Sequence, residues 1–183
     1  VRMIYPKSWL KVIYSLLEII WESGSNNKVF GGIFVFDVLC VGRLAGCDII
    51  FAGMKQMPAT GTEEFCEELR VKAGGSANTA MALAKMGIRT LFLTELGNDI
   101  FGRIVYKFIE EAGVDCSAVI KRDDYKTCVS AVLSLDGDRG FATYFDKDKS
   151  AITAELIEKH VNKAAYIYTD IVTCIDLQVA EIA

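Results

Sequence analysis

The chain has 183 residues, 52% of them hydrophobic and 24% charged, with a formal net charge of −4. That length and apolar content suit one globular core, and without a basic block the chain lacks the electrostatic footprint of a nucleic-acid binder. Only two prolines are present, and no repeat or low-complexity linker interrupts the chain.

The first 36 residues read differently from the remainder. WLKVIYSLLEII forms a short apolar stretch suited to an amphipathic helix, but Lys11 and Glu18 interrupt it and it is too short to span a membrane. WESGSNNKVFGG offers no A-x-A cleavage site, which argues against a signal peptide. Residues 1–36 are therefore expected to be an atypical extension or a wrongly assigned start, and residues 37–183 the domain proper.

From Phe36 the pattern is regular. FDVLCVG is a continuous apolar run closed by Gly42, as a buried strand requires, and CDIIFAG continues extended. MPATGTEE reads as a turn and FCEELRVKA as a strand. After Gly74-Gly75 comes a helix whose Ala80, Leu83, Ala84 and Gly87 recur at helical spacing, giving a small-residue face that lies close to a sheet. RTLFLTELG is the next buried strand. NDIFGRIVYKFIEEAGV follows as a helix, with an apolar stripe at Phe101, Ile104, Val105, Phe108 and Ile109, Asp99 at its start and Gly113 at its end. Strand, helix, strand, helix predicts an α/β unit with a parallel sheet. SAVIKRDDYKTCVSAVLSLDGDRGFATYF is strand-rich, with Asp136-Gly137 as a hairpin turn. With FCEELRVKA it is expected to form a small sheet projecting from the main domain. A helix capped by Thr153 and a buried strand, AYIYTDIV, complete the pattern. The chain stops at Ala183, soon after that strand. A sheet ending there is short of strands, so a truncated domain is expected.

Six cysteines (Cys40, Cys47, Cys66, Cys116, Cys128 and Cys174) form no C-x-x-C pair and lack zinc-site or disulfide-scaffold spacing. Several lie in apolar runs, which reads as buried free thiols in a reducing cytoplasm. The single histidine, His160, leaves no His-based triad or multi-His metal site and falls on the expected helix after Thr153.

Two features carry candidate chemistry. Gly74 and Gly75 lack Cβ atoms, so a ligand can approach the main chain at a helix mouth, and the Asn78 amide both donates to and accepts from hydroxyls. Together they suit a polyol, although strand-to-helix punctuation reads the same residues equally well. Asp48 follows an apolar strand, VGRLAGCDIIF, where an unsatisfied carboxylate is costly and sugar hydroxyls would satisfy it; a surface Asp on an edge strand is the plainer reading. GRLAG is not G-x-G-x-x-G, and no Walker A sequence is present, so neither nucleotide fingerprint applies.

GGSANTAMALAKMGIRTLFLTELGNDIFG resembles the first signature of the ribokinase-like (PfkB) carbohydrate kinases, with Gly74-Gly75, Asn78-Thr79-Ala80, Gly87, Gly97 and GNDIFG as the matching elements. The upstream DVLCVG…D and the downstream TCVSAVLSLDGDRGFATYF fall in the family's order. The resemblance implies an α/β core with a small β lid, and ATP- and Mg2+-dependent phosphorylation of a sugar or related hydroxyl compound. It implies that Asp48, Gly74, Gly75 and Asn78 contact substrate, that Arg139 and Tyr144 close over it from the lid, and that Asp170 faces the pocket. Gly42 to Asp48 is one residue longer than the usual spacing and Gly75 to Asn78 is at its short end, which leaves the sugar open. A D-T-x-G-A-G-D-like second signature is absent from the chain. The resemblance places the catalytic base in that signature, so the base is expected beyond Ala183 and no catalytic residue is assigned here. The chain is expected to supply the substrate-binding half of a kinase, truncated before the nucleotide-binding half. The alternative is a non-catalytic polyol-binding remnant, or one that dimerises through the exposed edges of its lid.

Overall fold

A computed structural model describes residues 34–182. The expected WLKVIYSLLEII helix and almost all of the expected extension lie outside the described residues. So does Ala183, beyond which the catalytic base is expected. Phe36 already belongs to the domain: its amide donates to the Lys163 carbonyl at 3.0 Å.

The described residues form two four-stranded sheets. The main sheet comprises β1 (Phe36–Val41), β4 (Thr90–Gly97), β5 (Val119–Arg122) and β8 (Ala164–Thr169), in the order β5-β4-β1-β8. All its pairings are parallel. Val38 to Val41 and all eight residues of β4 are buried, as expected of strands covered on both faces. Leu39, Val41, Leu91 and Leu93 pack with Ile157 and Val179 from two later helices. The second sheet comprises β2 (Ala45–Met54), β3 (Glu68–Gly75), β6 (Cys128–Leu135) and β7 (Asp138–Tyr144), in the order β3-β2-β6-β7.

Helix α1 (Ser76–Lys85) leaves β3 without a loop and buries Ser76, Ala77, Ala80 and Leu83; Gly87, expected on that face, is exposed beyond the helix end. Helix α2 (Ile100–Glu111) begins at Asp99, whose carboxylate accepts from the Gly102 amide at 2.8 Å, and ends before Gly113, which adopts φ +85°. Helix α3 (Ala154–Val161) is capped by Thr153 and carries His160, whose Nδ1 donates to the Leu156 carbonyl. Short helices α4 (Ile171–Asp176) and α5 (Val179–Ile182) follow β8. The hairpin is as expected: β6 and β7 are joined by Asp136-Gly137, with Gly137 at φ +80°. All six cysteines are free thiols, with Cys40, Cys47 and Cys128 buried.

Two expectations are corrected. SAVIKR does not join the projecting sheet: Val119–Arg122 pairs in parallel with Thr94–Gly97 at the edge of the main sheet. VGRLAGCDIIF is not one strand: the chain leaves β1 at Gly42, bends, and enters the second sheet at Ala45. Gly42 sits at this bend because α1 crosses there, and a Cβ on Gly42 would run into the Ser76 side chain. Asp48 therefore lies on β2, a central strand of the second sheet, and not at the end of a core strand.

Candidate functional site

The main-sheet strands occur in the chain order third, second, first, fourth from one edge to the other. The order reverses between β1 and β8, and the crevice outside the carboxyl ends of such a pair is where open α/β sheets bind ligands. Val41 pairs with Thr169 there, so Gly42 and Asp170 emerge side by side. The Asp170 carboxylate lies 3.4 Å from where a Gly42 Cβ would stand. It also caps α4, accepting from the Thr173 amide at 2.9 Å and from the Thr173 hydroxyl at 2.8 Å. Asp170 thus faces the crevice while spending its carboxylate on the helix. Ser76 opens α1 at the same place. Its Oγ is buried without a hydrogen-bond partner among the described residues, as is Arg43 Nε, although Arg43 also pairs with Asp176.

The second sheet holds Asp48. The register places Lys72 on β3, Asp48 on β2, Ser130 on β6 and Thr143 on β7 directly opposite one another, so their side chains share one face. Gly74 lies diagonally beside Asp48 on that face. A Cβ there would collide with the Asp48 carboxyl group, so the glycine is what lets the carboxylate lie flat against β3. Burial pushes the Asp48 carboxyl above its ordinary value, and a hydrogen bond from Ser130 pulls it partly back. Gly75 has a different job. It ends β3 and caps α1 at φ +62°, and a Cβ on it would strike the Leu44 carbonyl. Its lack of a side chain serves the chain path.

The other sequence candidates are placed apart from Asp48. Asn78, in the first turn of α1, is exposed and lines a groove of about 580 Å3 with Lys72, Met81, Lys85 and Glu111. Arg139 is on the Asp48 face of β7, but four residues beyond Thr143, roughly 13 Å along the strand. Its guanidinium lies 5.6 Å from the centre of the Phe141 ring. Tyr144 pairs with Val129 on the opposite face and lines a smaller pocket with Asp99, Phe101 and Lys126. The base expected beyond Ala183 lies outside the described residues. Ser130, Thr143, Arg43 and Ser76 were missed by sequence reasoning. A hydroxyl in a strand and a polar residue after a strand-ending glycine are ordinary, and only the fold makes them neighbours of Asp48 and Asp170.

Among the described residues, no group of three or more His, Cys, Asp or Glu side chains could hold a metal ion. No helix among them is long and apolar enough to cross a membrane.

Similarity to known proteins agrees with this architecture. Fructokinase-1 of Zea mays is 29% identical over 102 residues, covering 55% of this chain and 32% of the relative. The 5-dehydro-2-deoxygluconokinase of Shouchella clausii is 34% identical over 92 residues, covering 50% of this chain and 27% of the relative. The chain spans about a third of the length of the curated relatives it matches. Arabidopsis thaliana ribokinase, solved with ribose and ATP, superposes with a TM-score of 0.61 at 21% identity, over 80% of this chain and 49% of that one. Fructokinase of Xylella fastidiosa superposes with a TM-score of 0.59 at 24% identity, over 80% and 44%. These structural likenesses establish the fold. Residues 36–179 match the pfkB family carbohydrate kinase profile, and the chain belongs to that family.

Proposed function

We propose that this chain supplies the substrate-binding half of an ATP-dependent carbohydrate kinase, with β2, β3, β6 and β7 as the lid over a sugar or related hydroxyl compound. The observation that carries the reading is the Asp48 carboxylate, half-buried on β2 and seated against Gly74, an acceptor for hydroxyl donors that a ligand brings. Gly74 backs that carboxylate, Gly75 carries the chain from β3 into α1, and Gly42, Ser76 and Asp170 line the β1/β8 crevice. Relatives described as fructokinases, a 2-dehydro-3-deoxygluconokinase and a nucleoside kinase define the substrate classes to try. ATP, Mg2+ and a catalytic base beyond Ala183 belong to the complete kinase. The described residues offer no cluster of ligands fitting a metal ion.

The test is a titration of the chain with D-fructose, D-ribose, 2-dehydro-3-deoxygluconate and adenosine, followed by NMR, with ADP release measured in parallel. One of these should bind, and Asp48→Asn should weaken it roughly ten- to a hundredfold, as loss of a charge-assisted hydrogen bond implies. The chain alone should release no ADP. Unchanged binding by Asp48→Asn, or sugar-dependent turnover by the chain, overturns the proposal.

A second reading, a lid-dimerising module, is favoured by apolar side chains on the lid face opposite Asp48. Leu69, Val71 and Tyr144 are exposed there. Light scattering separates the readings: a dimer dispersed by Leu69→Lys supports pairing through the lid, and a monomer removes it.

A further inference from the structure

The bend between β1 and β2 consists of Gly42, Arg43 and Leu44, and each of them is bound to a different element. The Gly42 amide donates to the Leu93 carbonyl of β4 at 3.1 Å, and the Gly42 carbonyl accepts from the Thr94 hydroxyl at 2.7 Å. The Leu44 carbonyl accepts from the Ser76 amide, at the start of α1, at 3.0 Å. Arg43, between them, grips α4 twice. Its amide donates to the Thr173 hydroxyl at 3.4 Å, and its guanidinium pairs with Asp176 at the helix end. Thr173 passes the contact on. Its hydroxyl donates to one Asp170 carboxylate oxygen at 2.8 Å, and its amide donates to the other at 2.9 Å. The donor is fixed at each step, because an amide only donates and a carboxylate only accepts. β2 begins at Ala45, directly after the bend, and carries Asp48. We infer that Arg43 is a positioning residue that sets the spacing between the Asp48 and Asp170 carboxylates, by locking the bend that leads into β2 onto the helix that Asp170 caps. The inference rests on the reading of these two carboxylates as hydroxyl-binding groups.

Burial is what gives Arg43 its leverage. A cation as buried as this one is costly unless it is paired, and Asp176 supplies the pairing from the exposed side of α4. The position of α4 therefore matters to the Arg43 guanidinium, and Arg43 matters to α4 in turn. That helix is too short to hold its own conformation, and Ile171, Val172 and Ile175 are exposed. Cys174 packs against the core of the main sheet, and Arg43 supplies polar contacts at Thr173 and Asp176. Asp170 keeps capacity for a ligand, since a carboxylate has about four lone-pair sites and Thr173 takes one on each oxygen. Two carboxylates at a fixed spacing accept from two hydroxyls of one ligand at once, with the ordering cost met in folding and not in binding. Carboxylates that drift relative to each other hold one hydroxyl at a time.

The experiment is a double-mutant cycle on the chain, read by NMR titration with D-fructose, D-ribose, 2-dehydro-3-deoxygluconate and adenosine, with amide hydrogen exchange measured on the same samples. Arg43→Met keeps the stem and removes the charge, so the fold should survive. The Cys174 and Leu177 amides, which bond back along α4 to Asp170 and Thr173, should exchange about tenfold faster in it, while the Phe92 amide of β4 keeps its wild-type rate. Ligand binding should weaken about tenfold. Arg43→Lys keeps the charge and should restore most of it, because Arg43 Nε makes no hydrogen bond among the described residues to lose. Asp170→Asn, which preserves the helix cap, should weaken binding about tenfold in the wild-type background and hardly at all in Arg43→Met, where the two carboxylates no longer act together. An equal effect of Asp170→Asn in both backgrounds overturns the positioning role, as does wild-type binding by folded Arg43→Met. If Arg43→Met does not fold, Asp176→Asn takes its place in the cycle with the same expectations. If none of the four compounds binds the wild-type chain, the hydroxyl reading fails, and hydrogen exchange judges the clamp separately: faster exchange at Cys174 and Leu177 upholds it. Unchanged exchange overturns it whether or not a ligand binds.

Discussion

Gly74→Ala should damage the site while sparing the fold. Gly74 lies within β3 and is absent from the positive-φ glycines, so its backbone accepts alanine without strain. The obstacle is on the neighbouring strand, where the new methyl would overlap the Asp48 carboxyl group. That group is the far end of a half-buried side chain, and it can swing away. Doing so takes the carboxylate away from where a ligand hydroxyl would donate to it, a charge-assisted hydrogen bond worth about 1.5–3 kcal/mol to the complex. Affinity for a hydroxyl ligand should fall roughly ten- to a hundredfold. Overpacking typically costs about 1–3 kcal/mol, and a side chain free to move toward solvent keeps the penalty near the lower end. Melting should therefore drop by only ~2–4 °C, the shift per kcal/mol expected of a domain of this size. Thermal unfolding followed by circular dichroism, with a D-fructose titration on the same protein, reads both quantities. A Gly74→Ala protein that binds like the wild type, or that unfolds outright, would refute the reasoning.

Gly75→Ala should behave in the opposite way. It combines φ +62° with a collision against the Leu44 carbonyl, so strain of ~1–3 kcal/mol and a main-chain clash both act on the fold, and thermal melting should fall further than in Gly74→Ala. Glu95→Ala should cost about 3 kcal/mol, because Glu95 is fully buried and accepts from Arg122, Ser150 and the Ala151 amide, the last at 2.8 Å. The penalty stays near the low end because Arg122 keeps Asp124, and urea unfolding measures it. Acid should destabilise the domain through Asp37 and Asp99. Hydrogen bonds from Arg89 hold the Asp37 carboxyl below its ordinary value; at Asp99 burial raises the value, but the Gly102 and Thr127 amides outweigh it. Both groups are depressed in the folded state, so their contribution is full above the unfolded carboxylate range, near pH ~4, and is lost as pH falls through the folded values. Melting temperature measured against pH should decline below about pH 4, and less steeply in Asp99→Asn.

What the sequence made legible was local, and what it hid depended on which distant strand each segment meets. Asp99, Thr153, Gly113 and Asp136-Gly137 act within a few residues of themselves, so caps and turn were readable from spacing alone. Sheet membership was not. Val119–Arg122 and Cys128–Leu135 lie only five residues apart, and nothing in their periodicity tells that the first pairs with β4 and the second with β2. The bend at Gly42 and Arg43 was hidden for a related reason, since it depends on the Ser76 side chain filling the space a Cβ would need. Asp48 stood out because a carboxylate in an apolar run demands a partner. The partner itself did not, because a serine in a strand demands nothing, and Ser130 becomes meaningful only when residues far apart in the chain arrive at one level of one sheet. The positions most readable from sequence are therefore those that solve a local backbone problem. The row of Lys72, Asp48, Ser130 and Thr143 is assembled by non-local pairing in the second sheet, whose faces a register shift of one residue would exchange.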